Sequence, residues 1–328
     1  MNRSDFILSS SNVHPLHVGA ARPPAAHEGG EGSAGHIGWL LRSGPAPVDV
    51  TRAFSVMAAT AEAGTDPLPA EARRLAYVFV GEPLGSFVPG YLQENLQPFR
   101  ERGFHTRLLP VLAGANAATG ARNVMEVVRR IAEAGRRVVV VGHGRGAVDT
   151  LDALSLYPEL APAVRALVAL QAPFGGSPLA SDVAEVGGPL LPVLSGPLAA
   201  LVRRYPDTLQ DSTYAARQAF VARHPLPVGL PVVCLSTSRR EPGSPLYGSE
   251  EYLFRRYGQR SDGVVLAADA VLPGTRHVVL DDLDHVETVM TSAGCNRPYA
   301  PAELTVGLVA LALRSPAPSA HAVRAAAA

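Results

Sequence analysis

The sequence predicts an α/β domain built on a doubly wound, mostly parallel sheet of about six strands, with a helical insertion late in the chain. Two observations predict it. From about residue 75, short continuous runs of β-branched and apolar residues alternate with helical stretches. Strands that are apolar at successive positions are buried on both faces, as in a parallel sheet covered by crossover helices. In addition, Val138-Val139-Val140-Val141 runs straight into Gly142-His143-Gly144-Arg145-Gly146 and then a helical stretch, Val148 to Leu156, so a strand turns sharply into a helix there.

Taken in order, residues 1 to about 45 are rich in Gly, Ala, Pro, Ser and His with little apolar periodicity. Residues 1–69 are read as an N-terminal extension, partly disordered or wrapped on the surface. Within it, Val48 to Ala63 reads as one helix with Asp49 or Thr51 near its start, and Pro67 and Pro69 then break the chain. The predicted strands are Ala76–Val80, Thr106–Leu109, Arg137–Val141, Ala166–Leu170, Val232–Leu235 and His277–Leu280. Leu92 to Arg102 and Val124 to Ala134 read as amphipathic helices, the second with apolar residues at 124, 127, 128 and 131. Residues 185–229 depart from the alternation: Gly187-Gly188-Pro189, Leu190-Leu191-Pro192-Val193-Leu194, then a helix-like run from Asp211 to Arg223. Long connections in compact domains are usually functional or disordered; this one reads either as a cap over a site or as a plain helical insertion. The folded domain is placed at 70–315, with 316–328 an Ala-rich flexible tail.

Composition narrows the function classes. The 328 residues carry no formal net charge, 47% are hydrophobic and 18% charged, and every basic Lys/Arg position is Arg. A neutral balance excludes a broad basic field for nucleic acid or anionic membrane. Two cysteines, Cys234 and Cys295, make no disulfide framework for this length, and Cys234 sits in an apolar strand. No apolar run spans a membrane. Arg3 beside Asp5, with only Phe6-Ile7-Leu8 after them, is a poor signal peptide, so a cytoplasmic location is expected.

The 142–146 turn carries the strongest chemical signal. A tight strand-to-helix turn brings backbones together at its outer positions, here Gly142 and Gly146, and holds its central residue at a strained angle facing a site. That residue is Gly144, which tolerates the angle but offers no hydroxyl or thiol. The rival reading, a dinucleotide-binding turn, lacks the third glycine at the required spacing and lacks an acid after the next strand, where Leu170-Gln171 stands.

With these residues in view, the stretch from about 75 to 314 resembles bacterial esterases and lipases of the α/β-hydrolase superfamily. Four segments carry the likeness: Val78-Phe79-Val80-Gly81-Glu82-Pro83-Leu84-Gly85, like the oxyanion loop; the turn at 142–146, like the G-x-S-x-G elbow; Leu167 to Pro178, containing Gln171-Ala172-Pro173-Phe174-Gly175-Gly176-Ser177; and Ser261-Asp262-Gly263-Val264-Val265 with Leu283-Asp284-His285. The resemblance implies that Asp262 orients and His285 is the base, in the order of triad parts of that fold. Singly, Asp262 before Gly263 also fits an ordinary turn, and His285 a surface loop. His143 is expected to pack beneath the elbow. The resemblance further implies an oxyanion hole from the backbone N–H groups of Glu82 and Arg145; Pro83 has none, and Glu82 replaces an apolar residue. Asp281, Asp282 and Asp284 read as a solvated loop rather than a Ca²⁺ site, and no metal or cofactor is expected.

Glycine at the centre leaves three readings open: a nucleophile-deleted variant of a serine hydrolase; an enzyme working without a covalent intermediate through the His285–Asp262 base, for hydrolysis or for a cyclisation or elimination; or an inactive ligand-binding protein. In the first, Gly144→Ser alone is expected to create a fast esterase. The expected partner is a small apolar acyl ester or a related compound; the sequence does not fix an oligomeric state.

Overall fold

The computed structural model describes residues 31–111, 114–186, 194, 196–291 and 298–314. The expected tail at 316–328, Cys295 and residues 1–30 of the expected extension lie outside these residues, as do 187–193 and 195 of the insertion.

Seven parallel strands form one sheet: β1 (Val48–Asp49), β2 (Ala76–Val80), β3 (His105–Leu109), β4 (Val138–His143), β5 (Val164–Leu170), β6 (Val232–Ser238) and β7 (Arg276–Asp281), in the order β1-β7-β6-β5-β4-β2-β3. The six predicted strands are all present. The seventh, β1, is two residues at the sheet edge, and it takes the first two residues of the predicted 48–63 helix. The helix itself, α2, begins at Thr51, whose N–H is donated to the Asp49 carboxylate at 2.8 Å. A two-residue strand has no period to read.

Both faces of the sheet are covered. On β2, Ala76, Val78 and Val80 face one core while Tyr77 and Phe79 face the other; on β4, Val138 and Val140 oppose Val139 and Val141. That alternation between two buried faces explains the unbroken apolar runs. Helices α4 (Ala117–Glu133) and α5 (Arg145–Leu156) pack on the first face, and α2 (Thr51–Glu62), α3 (Gln93–Glu101) and α10 (Pro301–Leu313) on the second. α10 was not among the predicted helices. Leu304, Val306, Leu308, Val309 and Leu311 point around its whole circumference and all are buried, so it carries no amphipathic stripe.

The insertion holds α7 (Gly196–Arg204), the 3-10 segment Pro206–Ser212 and α8 (Tyr214–Arg223). It is tied to the core through α8, where Arg217 makes a bidentate pair with Asp152 of α5 at 2.7 and 2.9 Å. Two further helices, α6 (Pro178–Val186) and α9 (Tyr247–Tyr257), flank β5 and β6 in the chain, and a short helix, α1 (Glu31–Ala34), opens the described region. No helix among the described residues is long and apolar enough to cross a membrane.

Candidate active site

The loops after β2, β4, β5, β6 and β7 meet at the carboxyl ends of the parallel strands, where open α/β sheets place their ligands. β4 delivers the turn. Gly144 stands at φ +52°, ψ −125° and caps the N-terminus of α5. A Cβ on Gly142 would come to 2.5 Å from Ala147 Cα, and one on Gly146 would collide with the carbonyls of Val80 and Gly81. The two outer glycines are therefore a packing requirement of the turn, and the middle one a backbone requirement.

Asp262 is fixed before it does anything chemical. Its Oδ1 accepts the N–H groups of Val264 at 2.9 Å and Val265 at 2.7 Å, and its carbonyl accepts the N–H of His285 at 2.8 Å. Its Oδ2 lies 2.7 Å from His285 Nδ1. Both side chains are buried. The expected pairing of acid and imidazole is thus present in space, and the ring faces the elbow.

The other ring nitrogen meets a side chain that the sequence pointed to for its backbone. His285 Nε2 lies 3.1 Å from Glu82 Oε1. Glu82 Oε2 lies 3.5 Å from the N–H of Arg145, the first residue of α5. A Cβ built on Gly144 would overlap this Oε2, would be 2.7 Å from Glu82 Cδ and would be 3.2 Å from His285 Nε2. The Glu82 carboxylate therefore occupies the space that a nucleophilic side chain on residue 144 would use. Its own N–H is donated to Tyr91 Oη at 3.1 Å. The side chain could not be placed from sequence, because its path depends on the absence of a side chain at 144. For the same reason, serine at 144 needs Glu82 to move.

His143 lies beneath the elbow and holds its neighbours by both nitrogens. Its Nε2 faces two acceptors, Gln171 Oε1 at 3.2 Å and the His285 carbonyl at 3.0 Å, so Nε2 carries the proton. Nδ1 then accepts from Tyr91 Oη at 2.7 Å. Burial, reinforced by the charge on His285, lowers its pKa to about 4, so the ring is neutral. Tyr91 thereby joins the Glu82 backbone to the His143 ring, and its own ring fills the space that the missing Cβ atoms of Gly81 and Gly85 leave. Gln171, at φ +51°, accepts from Thr288 Oγ1 at 2.6 Å and donates to Thr237 and to the Asp284 carbonyl. Tyr91 and Thr288 were not among the residues singled out, and Gln171 appeared only within the 167–178 segment; hydrogen-bonding side chains in loops leave no period and no spacing to find.

The electrostatics run against a resting neutral imidazole. Burial alone would lower the pKa of His285, but Asp262 and Glu82, one at each nitrogen, raise it well above 6.5. Burial alone would raise the pKa of Glu82, yet His285, His143 and the Arg145 N–H bring it below 4.5. The contact between the two side chains therefore favours a protonated His285 and an ionised Glu82.

Around it lies an apolar cleft lined by Pro83, Leu84, Pro173, Leu179 and Val265, with Leu198, Leu201, Leu209 and Ser212 supplied by the insertion. The described part of the insertion thus forms part of the cleft wall. Among the described residues, Glu82, His143 and His285 bring one ligand atom each within 4.8 Å of one another, a set of donors suited to a transition metal. The His143 donor atom is, however, already taken by Tyr91, and Glu82 and His285 satisfy each other. Asp284 bonds the N–H groups of Val286 and Glu287, both at 2.8 Å, and Ser244 Oγ at 3.0 Å; Asp281 bonds Ser238 Oγ at 2.7 Å.

No protein-family model matches the sequence, nor does any curated protein. Solved structures do. A metagenomic carboxyl esterase, MGS0156, matches with TM-score 0.61 and 23% identity, over 88% of this chain and 96% of that one. The mature lipase BlEst2 of Bacillus licheniformis matches with TM-score 0.55 and 21% identity, over 65% and 86%. Phospholipase PlaB from Legionella pneumophila matches with TM-score 0.51 and 13% identity, over 76% and 62%. At these identities the likeness establishes the α/β-hydrolase fold.

Proposed function

We propose that this chain hydrolyses esters of apolar acyl groups without a serine, through Glu82, His285 and Asp262. One observation carries the reading: the Glu82 carboxylate stands in the space of the missing nucleophile and is bonded to His285 Nε2, while Asp262 holds Nδ1. The apolar lining of the cleft matches the chemistry of an acyl chain, and the structural neighbours are esterases and lipases by name. The Arg145 N–H at the start of α5 is the donor for a carbonyl oxygen. The imidazole starts protonated, so its first act is to donate to the leaving alcohol, and it becomes a base only afterwards.

The test is turnover of 4-nitrophenyl acetate, butyrate and octanoate. His285→Ala and Asp262→Asn are each expected to lower kcat/KM by roughly 10²–10⁴-fold. Activity is expected to need Glu82 ionised and His285 protonated. It should therefore persist through neutral pH and fall on the alkaline side, above an imidazole pKa raised beyond 6.5. A serine triad behaves in the opposite way, gaining activity as its histidine loses the proton. Absence of turnover with all three esters, together with binding of octanoate, would make the chain a ligand-binding protein instead.

A further inference from the structure

We propose that Glu82 is a covalent nucleophile, its Oε2 attacking the ester carbonyl to form a mixed anhydride that His285 then helps water to open. The inference rests on the hydrolase reading and adds which atom attacks. Three observations carry it. Oε2 lies in the space that a Cβ on residue 144 would occupy, which puts it at the centre of the turn rather than on a wall of the cleft. Oε1 is bonded directly to His285 Nε2 at 3.1 Å, leaving Oε2 as the carboxylate oxygen that faces the Arg145 N–H. That N–H contact is long, 3.5 Å, so a substrate carbonyl can replace it. The alternative is Glu82 as a base towards water. A carboxyl held below its ordinary range by His285 and its neighbours is a weak proton acceptor, and its Oε1 is already bonded to His285 Nε2. Oε2, held only by the long contact with the Arg145 N–H, remains competent as a nucleophile.

The steps balance. Glu82 Oε2 adds to the acyl carbon, and the carbonyl oxygen becomes an oxyanion facing the Arg145 N–H. Collapse breaks the bond to the alkoxide, which leaves with the Nε2 proton of His285 as the alcohol. The enzyme now holds acyl-Glu82 anhydride and a neutral imidazole. His285 takes a proton from water; the hydroxide adds to the acyl carbon and expels the Glu82 carboxylate. The products are one acid and one alcohol, and the carboxylate–imidazolium pair is restored.

The test is trapping during turnover of 4-nitrophenyl, phenyl and ethyl butyrate by the wild-type chain in the presence of hydroxylamine. A shared butyryl-Glu82 intermediate predicts one ratio of butyrohydroxamate to butyrate for all three leaving groups. It also predicts substrate-dependent inactivation, with a hydroxamate mapped by mass spectrometry to Glu82. Glu82→Gln should lose the trapping and at least about 100-fold in turnover, with its thermal melt confirming a folded chain. Turnover with a ratio that changes with the leaving group, and with Glu82 unmodified, would overturn the covalent step while leaving the hydrolase reading in place. Failure to hydrolyse any of the three butyrates would remove the hydrolase reading, and the covalent step with it.

Discussion

Gly144 and Glu82 have to be understood as a pair. A serine at 144 would carry its Cβ into the Glu82 carboxylate and would adopt φ +52°, ψ −125°, a region that costs a non-glycine residue about 1–3 kcal/mol. Gly144→Ser alone is therefore expected to lower the melting temperature and to remain unlabelled by a fluorophosphonate. Removing the obstruction as well, in Gly144→Ser with Glu82→Ala, vacates the space and frees His285 Nε2 for the hydroxyl. The double variant should label and should hydrolyse 4-nitrophenyl butyrate, with activity that rises with pH as His285 deprotonates. Rapid labelling of the single variant would show that the carboxylate does not hold the position described here. At this scale the sequence was informative about residue type and order: Asp262 and His285 were named from the resemblance of their two segments to a known family. It was uninformative about where the Glu82 side chain would go.

The elements are held in register by buried polar links, and one of them joins the insertion to the elbow helix. Arg217 of α8 pairs with Asp152 of α5 and also donates to the Phe174 carbonyl at 3.2 Å. Both side chains are almost fully buried. Arg217→Met would leave Asp152 charged with no partner, or force it to take up a proton. A loss of about 3–5 kcal/mol is expected in urea unfolding, with most of it recovered by Arg217→Met with Asp152→Leu. A loss below about 1 kcal/mol in the single variant would mean that the pair is open to water. The helix containing Arg217 was legible from its composition. Its partner was not, because 65 residues separate the two in sequence.

Across the whole molecule, stability depends on histidines that folding keeps neutral. His277 of β7 bonds Ser236 of β6 at 2.7 Å, and burial, partly offset by Asp49 of β1, lowers its pKa to about 4. Its unfolded value is 6.5, so between these limits the unfolded chain binds the extra proton and stability is lost as pH falls. Relative to His277→Gln, the wild type should lose about 2 kcal/mol of unfolding free energy between pH 7 and pH 5. Parallel denaturation curves for the two proteins at those pH values check it; a constant difference would place His277 in contact with solvent.

The sequence by itself determined the sheet and the turn. Six of the seven strands and the glycine-rich turn after β4 follow from local pattern: two buried faces demand unbroken apolar runs, and a turn too tight for Cβ atoms demands glycine. Only the tertiary structure decided what fills the centre of the turn. The Glu82 carboxylate, the Tyr91–His143 link beneath it and the apolar wall from the insertion converge from loops far apart along the chain. Side-chain direction within such loops is set by the packing of neighbours, and in this site the deciding neighbour is the side chain that Gly144 does not have.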